Sequence, residues 1–139
     1  MTPPLGEVTV LGRPECVAVL RCAGQALVAL VAPEAADAAA LVCSELGGNA
    51  VRHSRSSEPG QTMTLRVLHE GPTVRVAIID QGSSISRPQV TDSGGALSLG
   101  GRGLFLVQAV SKEWGVDYGV DGSTTVWSRL EIADGGDCG

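Results

Sequence analysis

The stretch SELGGNAVRHS, residues 44–54, decides how this chain is read. Glu45, Asn49 and His53 follow one another at i, i+4 spacing, so on a helix they form one polar stripe. Ala39, Val42, Leu46 and Ala50 recur at helical spacing beside it, and Pro33 precedes them. The pattern predicts the longest helix of the chain over residues 34–54. Mg2+ takes oxygen ligands, usually only one or two of them from protein, and Asn49 is its candidate ligand. Glu45, one turn away, is the candidate base that takes a proton from a hydroxyl or a water beside a terminal phosphate. The same residues are also what an ordinary solvated helix face carries. Gly47 and Gly48 sit inside this helix, where each costs about 1 kcal/mol of helix stability, and they predict a looser helix.

Outward from this helix the pattern alternates between strands and helices. Residues 7–11 (EVTVL) read as a strand, and Pro14 suits the first turn of a helix running to about Leu30. RSSEPG at 55–60 reads as a turn. TMTLRVLHE and TVRVAIID flank Gly71 and Pro72 and predict a hairpin. Residues 81–101 are rich in Ser, Gly and Pro without periodicity, as a lid would be. GRGLFLVQAVSK returns to helical spacing, and EWGVDYGV with DGSTTVWSRLEI predicts a second hairpin turning near Asp121 and Gly122. The tail, residues 133–139, reads as frayed. One domain over 1–139 follows, of α/β class, with a mostly antiparallel sheet covered by helices on one face.

Composition narrows the partners. The formal net charge is −5, with no basic stretch to neutralise phosphodiesters, which argues against direct nucleic-acid binding. Four cysteines (Cys16, Cys22, Cys43, Cys138) form no CxxC pair and read as reduced thiols, three of them in helices. The first ten residues lack a charged and apolar leader, and no apolar stretch reaches membrane-spanning length, so the expectation is a cytoplasmic protein that does not enter a membrane.

Three further motifs carry chemistry. Asp80 ends TVRVAIID and, by period-two alternation, shares a side with Val74, Val76 and Ile78. If that side is the core, its carboxylate is buried and needs a donor, for which an adenine amino group is suited. Gly82 beside it permits close approach of the base, although DQGS is equally a turn start. In LGGRGLFLV, Gly100, Gly101 and Gly103 precede an apolar helix, so free amides at a positive helix end can meet phosphates, with Arg102 as an added cation. Neither a Walker loop nor a Rossmann fingerprint is present there. In STTVW, alternation puts Thr124 with Val126 and Leu130, opposite Thr125, Trp127 and Arg129, and makes Thr124 the pocket candidate.

Taken in order, SELGGNAVRHS, VAIIDQG, GGRGLFLV and GSTTVW resemble the N, G1, G2 and final threonine boxes of the GHKL (histidine kinase-like) ATPase superfamily. The length and the wording GRGLFLV and TTVW resemble its anti-sigma-factor serine kinases and the standalone ATP-binding regulators of actinobacteria. The resemblance implies a Bergerat-type two-layer sandwich with a mixed, mostly antiparallel sheet. It implies ATP with its adenine on Asp80 and Thr124, phosphates under the turn from Gly101 through Arg102 and Gly103 to Leu104, Mg2+ on Asn49 and a catalytic base at Glu45. His53, on the Asn49 stripe, and Gly82 join the nucleotide-binding set. It also implies a partner, either a sigma factor or a small anti-anti-sigma (STAS-type) protein phosphorylated on serine, and many such proteins are dimers. The chain departs from the pattern at Ser84, where a second G1 glycine is usual, and at Leu99, where serine kinases often carry a basic residue. An alternative is a non-catalytic ATP-binding interaction module. A third, the catalytic half of a split histidine kinase, lacks a helix bearing the phospho-acceptor histidine.

Overall fold

In a computed structural model, residues 4–53, 58–81 and 102–133 are described. The expected lid, Gly82, Ser84, Leu99, Gly101, the start of the 55–60 turn and the tail beyond Ala133 lie outside the described residues, as do the side chains of Arg102 and Gly103. Strand β1 (Pro4–Leu11) leads through a 3-10 turn at Pro14–Cys16 into helix α1 (Val17–Ala29). A second 3-10 turn at Pro33–Ala35 opens α2 (Ala36–His53). Strands β2 (Thr62–Glu70) and β3 (Thr73–Asp80), helix α3 (Arg102–Val110), and strands β4 (Glu113–Tyr118) and β5 (Thr124–Glu131) follow.

Both long helices start on a proline because its fixed φ suits a first turn and its missing N–H is not needed there. α2 has Asp37 in its first turn and Arg52 and His53 in its last, the polarity that the helix dipole favours. Cys16 falls in the 3-10 turn rather than in α1 proper; Cys22 and Cys43 are helical, and all three are free thiols.

The five strands run in the order β1-β2-β3-β5-β4, and every pairing among them is antiparallel. The sheet is thus a two-layer sandwich of the expected kind, without a parallel pair among the described strands. β2 turns into β3 over Gly71 and Pro72, with Gly71 at φ +60, where a side chain would be strained. β4 and β5 are joined over Gly119–Ser123, where the Gly119 amide donates to the Ser123 carbonyl and Asp121 accepts from the Ser123 amide and hydroxyl.

Alternation puts one face of the sheet against the helices. Met63, Leu65 and Val67 of β2, Val74, Val76 and Ile78 of β3, and Val126 and Leu130 of β5 are buried against the helices. Leu20 and Val28 of α1, Val42, Leu46 and Ala50 of α2, and Leu104 and Val107 of α3 complete the same core. α1 and α2 approach closely because glycine lies at their contact. A methyl group on Gly24 would collide with Cys43 Sγ, and one on Gly47 would stand 3.3 Å from Leu20 Cδ1.

The far end of α3 is tied to β5 by polar contacts. Ser111 Oγ donates to the Val107 carbonyl, so Ser128, fully buried on β5, donates its own hydroxyl proton to Ser111 across 2.6 Å. The Lys112 amide donates to the Arg129 carbonyl at 2.8 Å. These bonds fix the helix that begins at Arg102 relative to the strand that begins at Thr124.

Candidate nucleotide site

Asp80 and Thr124 are Cα partners across β3 and β5, the last pair of that ladder. Both lie on the core side, 6% and 2% exposed, as alternation predicts. Directly opposed residues of antiparallel strands have Cα atoms about 4.5–5.5 Å apart, so a carboxylate and a hydroxyl stand together at one end of the buried face. Ile78 pairs with Val126 immediately behind them, and both belong to the core. The pair therefore closes an apolar wall with two polar groups, which suits a base that is flat, apolar on its faces and polar at its edge.

Asn49 is 5% exposed, deeper than a solvated helix face would leave it. Its flanking residues, Leu46 and Ala50, share the core with Ile78, Val126 and Leu104. The helix that carries Asn49 thus packs on the same core as the strands that carry Asp80 and Thr124. Arg52 Nη2 donates to Asn49 Oδ1 at 2.9 Å, while Asn49 Nδ2 is buried with no hydrogen-bond partner among the described residues. A guanidinium has donors only, so it must face the amide oxygen, and the orientation of Asn49 follows. A buried amide donor without a partner is costly, and a phosphate oxygen is an acceptor that would satisfy it.

Glu45, one turn earlier, is half-buried and makes no hydrogen bond or ion pair with another described residue. His53, one turn later, is exposed. Partial burial holds its pKa below the ordinary value of 6.5, and the neighbouring Arg52 charge lowers it further, so the ring is predominantly neutral at pH 7.

Arg102 and Gly103 open α3, whose first amides have no partner within the helix. The Leu104 side chain is 6% exposed within the core, so its contact with a phosphate would come from its backbone amide. Gln81 donates to the Thr62 carbonyl at 3.3 Å and pins the chain where β3 ends.

Sequence reading missed Arg52 as a member of this group. The signal was its i+3 offset from Asn49 together with glycine at position 48: a methyl group there would stand 3.3 Å from Arg52 Nη1, so the bare backbone of Gly48 makes room for the guanidinium to fold back along the helix.

The opposite face of the sheet is different in character. An open depression of about 360 Å³ is lined there by Leu68, Ala77, Ile79, Thr125, Trp127 and neighbouring charged residues. Arg75 lies over the Trp127 ring at 4.6 Å and pairs with Glu70, Arg129 pairs with Glu70 and Glu113, and Arg66 pairs with Glu7. Most of its charges are paired, and none of the described site residues lines it.

Among the described residues no group of three His, Cys, Asp or Glu side chains could hold a metal. Asn49 as a single protein oxygen fits an ion that is held chiefly by phosphates and water, and its orphaned amide fits the same phosphates.

A model of the histidine kinase-like ATPase domain matches residues 12–130. The chain belongs to that family, within the GHKL superfamily, and its five-stranded sheet under three helices is the corresponding α/β sandwich. It is an ATP-binding regulatory protein of the GHKL type. No curated protein matches the chain. No helix among the described residues is long and apolar enough to cross a membrane.

Proposed function

We propose that this protein is an anti-sigma-factor-type serine kinase that binds Mg-ATP and either phosphorylates an anti-anti-sigma partner on serine or sequesters a sigma factor. The observation that carries the reading is the alignment of Glu45 with Asn49. A half-buried carboxylate with no described partner stands one turn from a buried amide, on a helix that packs on the same core as the strands of Asp80 and Thr124. Asp80 and Thr124 hold the adenine edge; the amides of the first turn of α3, Arg102 and His53 meet the phosphates; Asn49 Oδ1 would hold Mg2+. Bound there, the ion would neutralise charge on the phosphates. Glu45 accepts the proton of the incoming serine hydroxyl, the serine oxygen bonds to the terminal phosphorus, and the bond to the ADP oxygen breaks. Neutral His53 can donate to a phosphate oxygen without opposing Arg52. Most of the rate enhancement comes from positioning and charge stabilisation rather than from covalent participation by the protein.

The test is transfer from γ-labelled Mg-ATP to serine on a protein that co-purifies with this chain, compared with the Glu45→Ala variant. Label that appears only when Glu45 is intact supports the kinase. A partner retained equally by both proteins and never labelled supports the second reading, a non-catalytic ATP-binding interaction module. The Arg52 bond to Asn49 Oδ1 favours that second reading, because it engages the oxygen on which the metal-dependent step would rely.

A further inference from the structure

Arg52 is exposed, yet its guanidinium turns back along α2 rather than into solvent. Three observations converge on where it goes. Its Nη2 is 2.9 Å from Asn49 Oδ1. The Asn49 side chain is buried and its Nδ2 has no partner among the described residues, whereas Oδ1 is satisfied by Arg52. Gly48 leaves the space the guanidinium crosses, since a methyl group there would stand 3.3 Å from Nη1 and 3.8 Å from both Cζ and Nη2. No carboxylate among the described residues pairs with Arg52, so the amide oxygen is its described polar anchor.

We propose that Arg52 is a tethered competitor of the divalent cation: its guanidinium occupies the Asn49 oxygen that Mg2+ would ligate, and the ion must displace it to bind. The inference rests on the nucleotide-site reading above and goes beyond it by assigning a metal-gating role to Arg52 and a seat for it to Gly48.

The physical reason is charge. An amide oxygen carries two lone pairs, but a guanidinium and a divalent ion a few ångströms apart repel strongly where solvent is partly excluded. When the ion arrives, Arg52 has to release Oδ1, and its long stem allows it to swing outward to solvent or to a phosphate oxygen. The consequence is a threshold: the protein requires a higher Mg2+ concentration to load metal-nucleotide than it would with Oδ1 unengaged. Gly48 eases the same contact, because a methyl group there would stand 3.3 Å from Nη1 and press the guanidinium by a few tenths of an ångström.

The test measures ATP binding calorimetrically over a series of MgCl2 concentrations and reads the Mg2+ midpoint, using the intact chain and the variants Arg52→Ala, Gly48→Ala and the double variant. Arg52→Ala should lower the midpoint about three- to tenfold, the range expected when one partly exposed charge-assisted hydrogen bond no longer competes. Gly48→Ala, which presses the guanidinium by only a few tenths of an ångström, should lower it less than Arg52→Ala while raising the thermal midpoint, since alanine favours the helix, and the double variant should go no further than Arg52→Ala. A purely structural Arg52 would change thermal stability and leave the Mg2+ midpoint where it was. An unchanged or raised midpoint in Arg52→Ala, with ATP binding otherwise intact, overturns the competition and leaves the nucleotide site standing. Failure of the unmodified chain to bind ATP at any Mg2+ concentration overturns the nucleotide site and the competition with it.

Discussion

Asp80 and Thr124 face each other as the terminal pair of the β3–β5 ladder, both on the core side and both almost wholly buried. Two polar side chains at the end of an otherwise apolar wall are not what packing alone selects, since an aliphatic pair such as Ile78 and Val126 one step back fills the same kind of position. The register puts them where the edge of a ligand could reach both, as the proposed function requires. It also makes their contributions separable by substitution.

Thr124→Val keeps the shape of the side chain and removes the hydroxyl. ATP affinity should fall about tenfold, the size of one buried hydrogen bond, with stability unchanged or slightly raised in the absence of nucleotide. Thr124→Ser should retain most of the affinity. Titration calorimetry of the three proteins checks the order.

Gly24→Ala should destabilise the fold by about 1–3 kcal/mol in urea denaturation, even though alanine is the better helix former, because its methyl group meets Cys43 Sγ at the α1–α2 contact. Adding Cys43→Ala should recover much of the loss. Additive losses in the double variant would show that the two positions do not share that contact.

Burial pushes the Cys43 thiol from 9.0 up to about 12. Between those values the unfolded chain has released the proton and the folded chain still holds it. Stability therefore falls as pH rises from about 9 towards 12, and this part of the slope should vanish in Cys43→Ala. At pH 8 a thiol reagent should modify exposed Cys22 quickly and Cys43 only on unfolding.

Much of the fold was legible because its signals are local. The stripe Ala39, Val42, Leu46, Ala50 is one face of α2, and the alternation in TVRVAIID put Asp80 on the buried side, as found. The helix runs unbroken through Gly47 and Gly48, and the two glycines have different uses: Gly47 admits Leu20 and Val17 of α1, and Gly48 admits Arg52. Neither use is visible in a linear pattern, because each depends on what another side chain brings to the spot. The start of β1 at Pro4 rather than Glu7 was hidden by Pro4 and Gly6, residues that a sheet tolerates at an edge strand, where β1 lies. The pairing of Asp80 with Thr124 was half legible: alternation gave the face of each, but the register that opposes them is set by ladders between segments far apart in sequence.

The most direct test of the account is titration of ATP, at saturating Mg2+, into the unmodified chain and into Asp80→Asn. The account predicts one ATP per chain for the unmodified protein, and a loss of at least about tenfold in Asp80→Asn, which replaces a charged carboxylate with two acceptor oxygens by a neutral amide with one acceptor and one donor end. Equal affinity in the two proteins would contradict it, because the buried end of the β3–β5 ladder would then not be where the nucleotide binds.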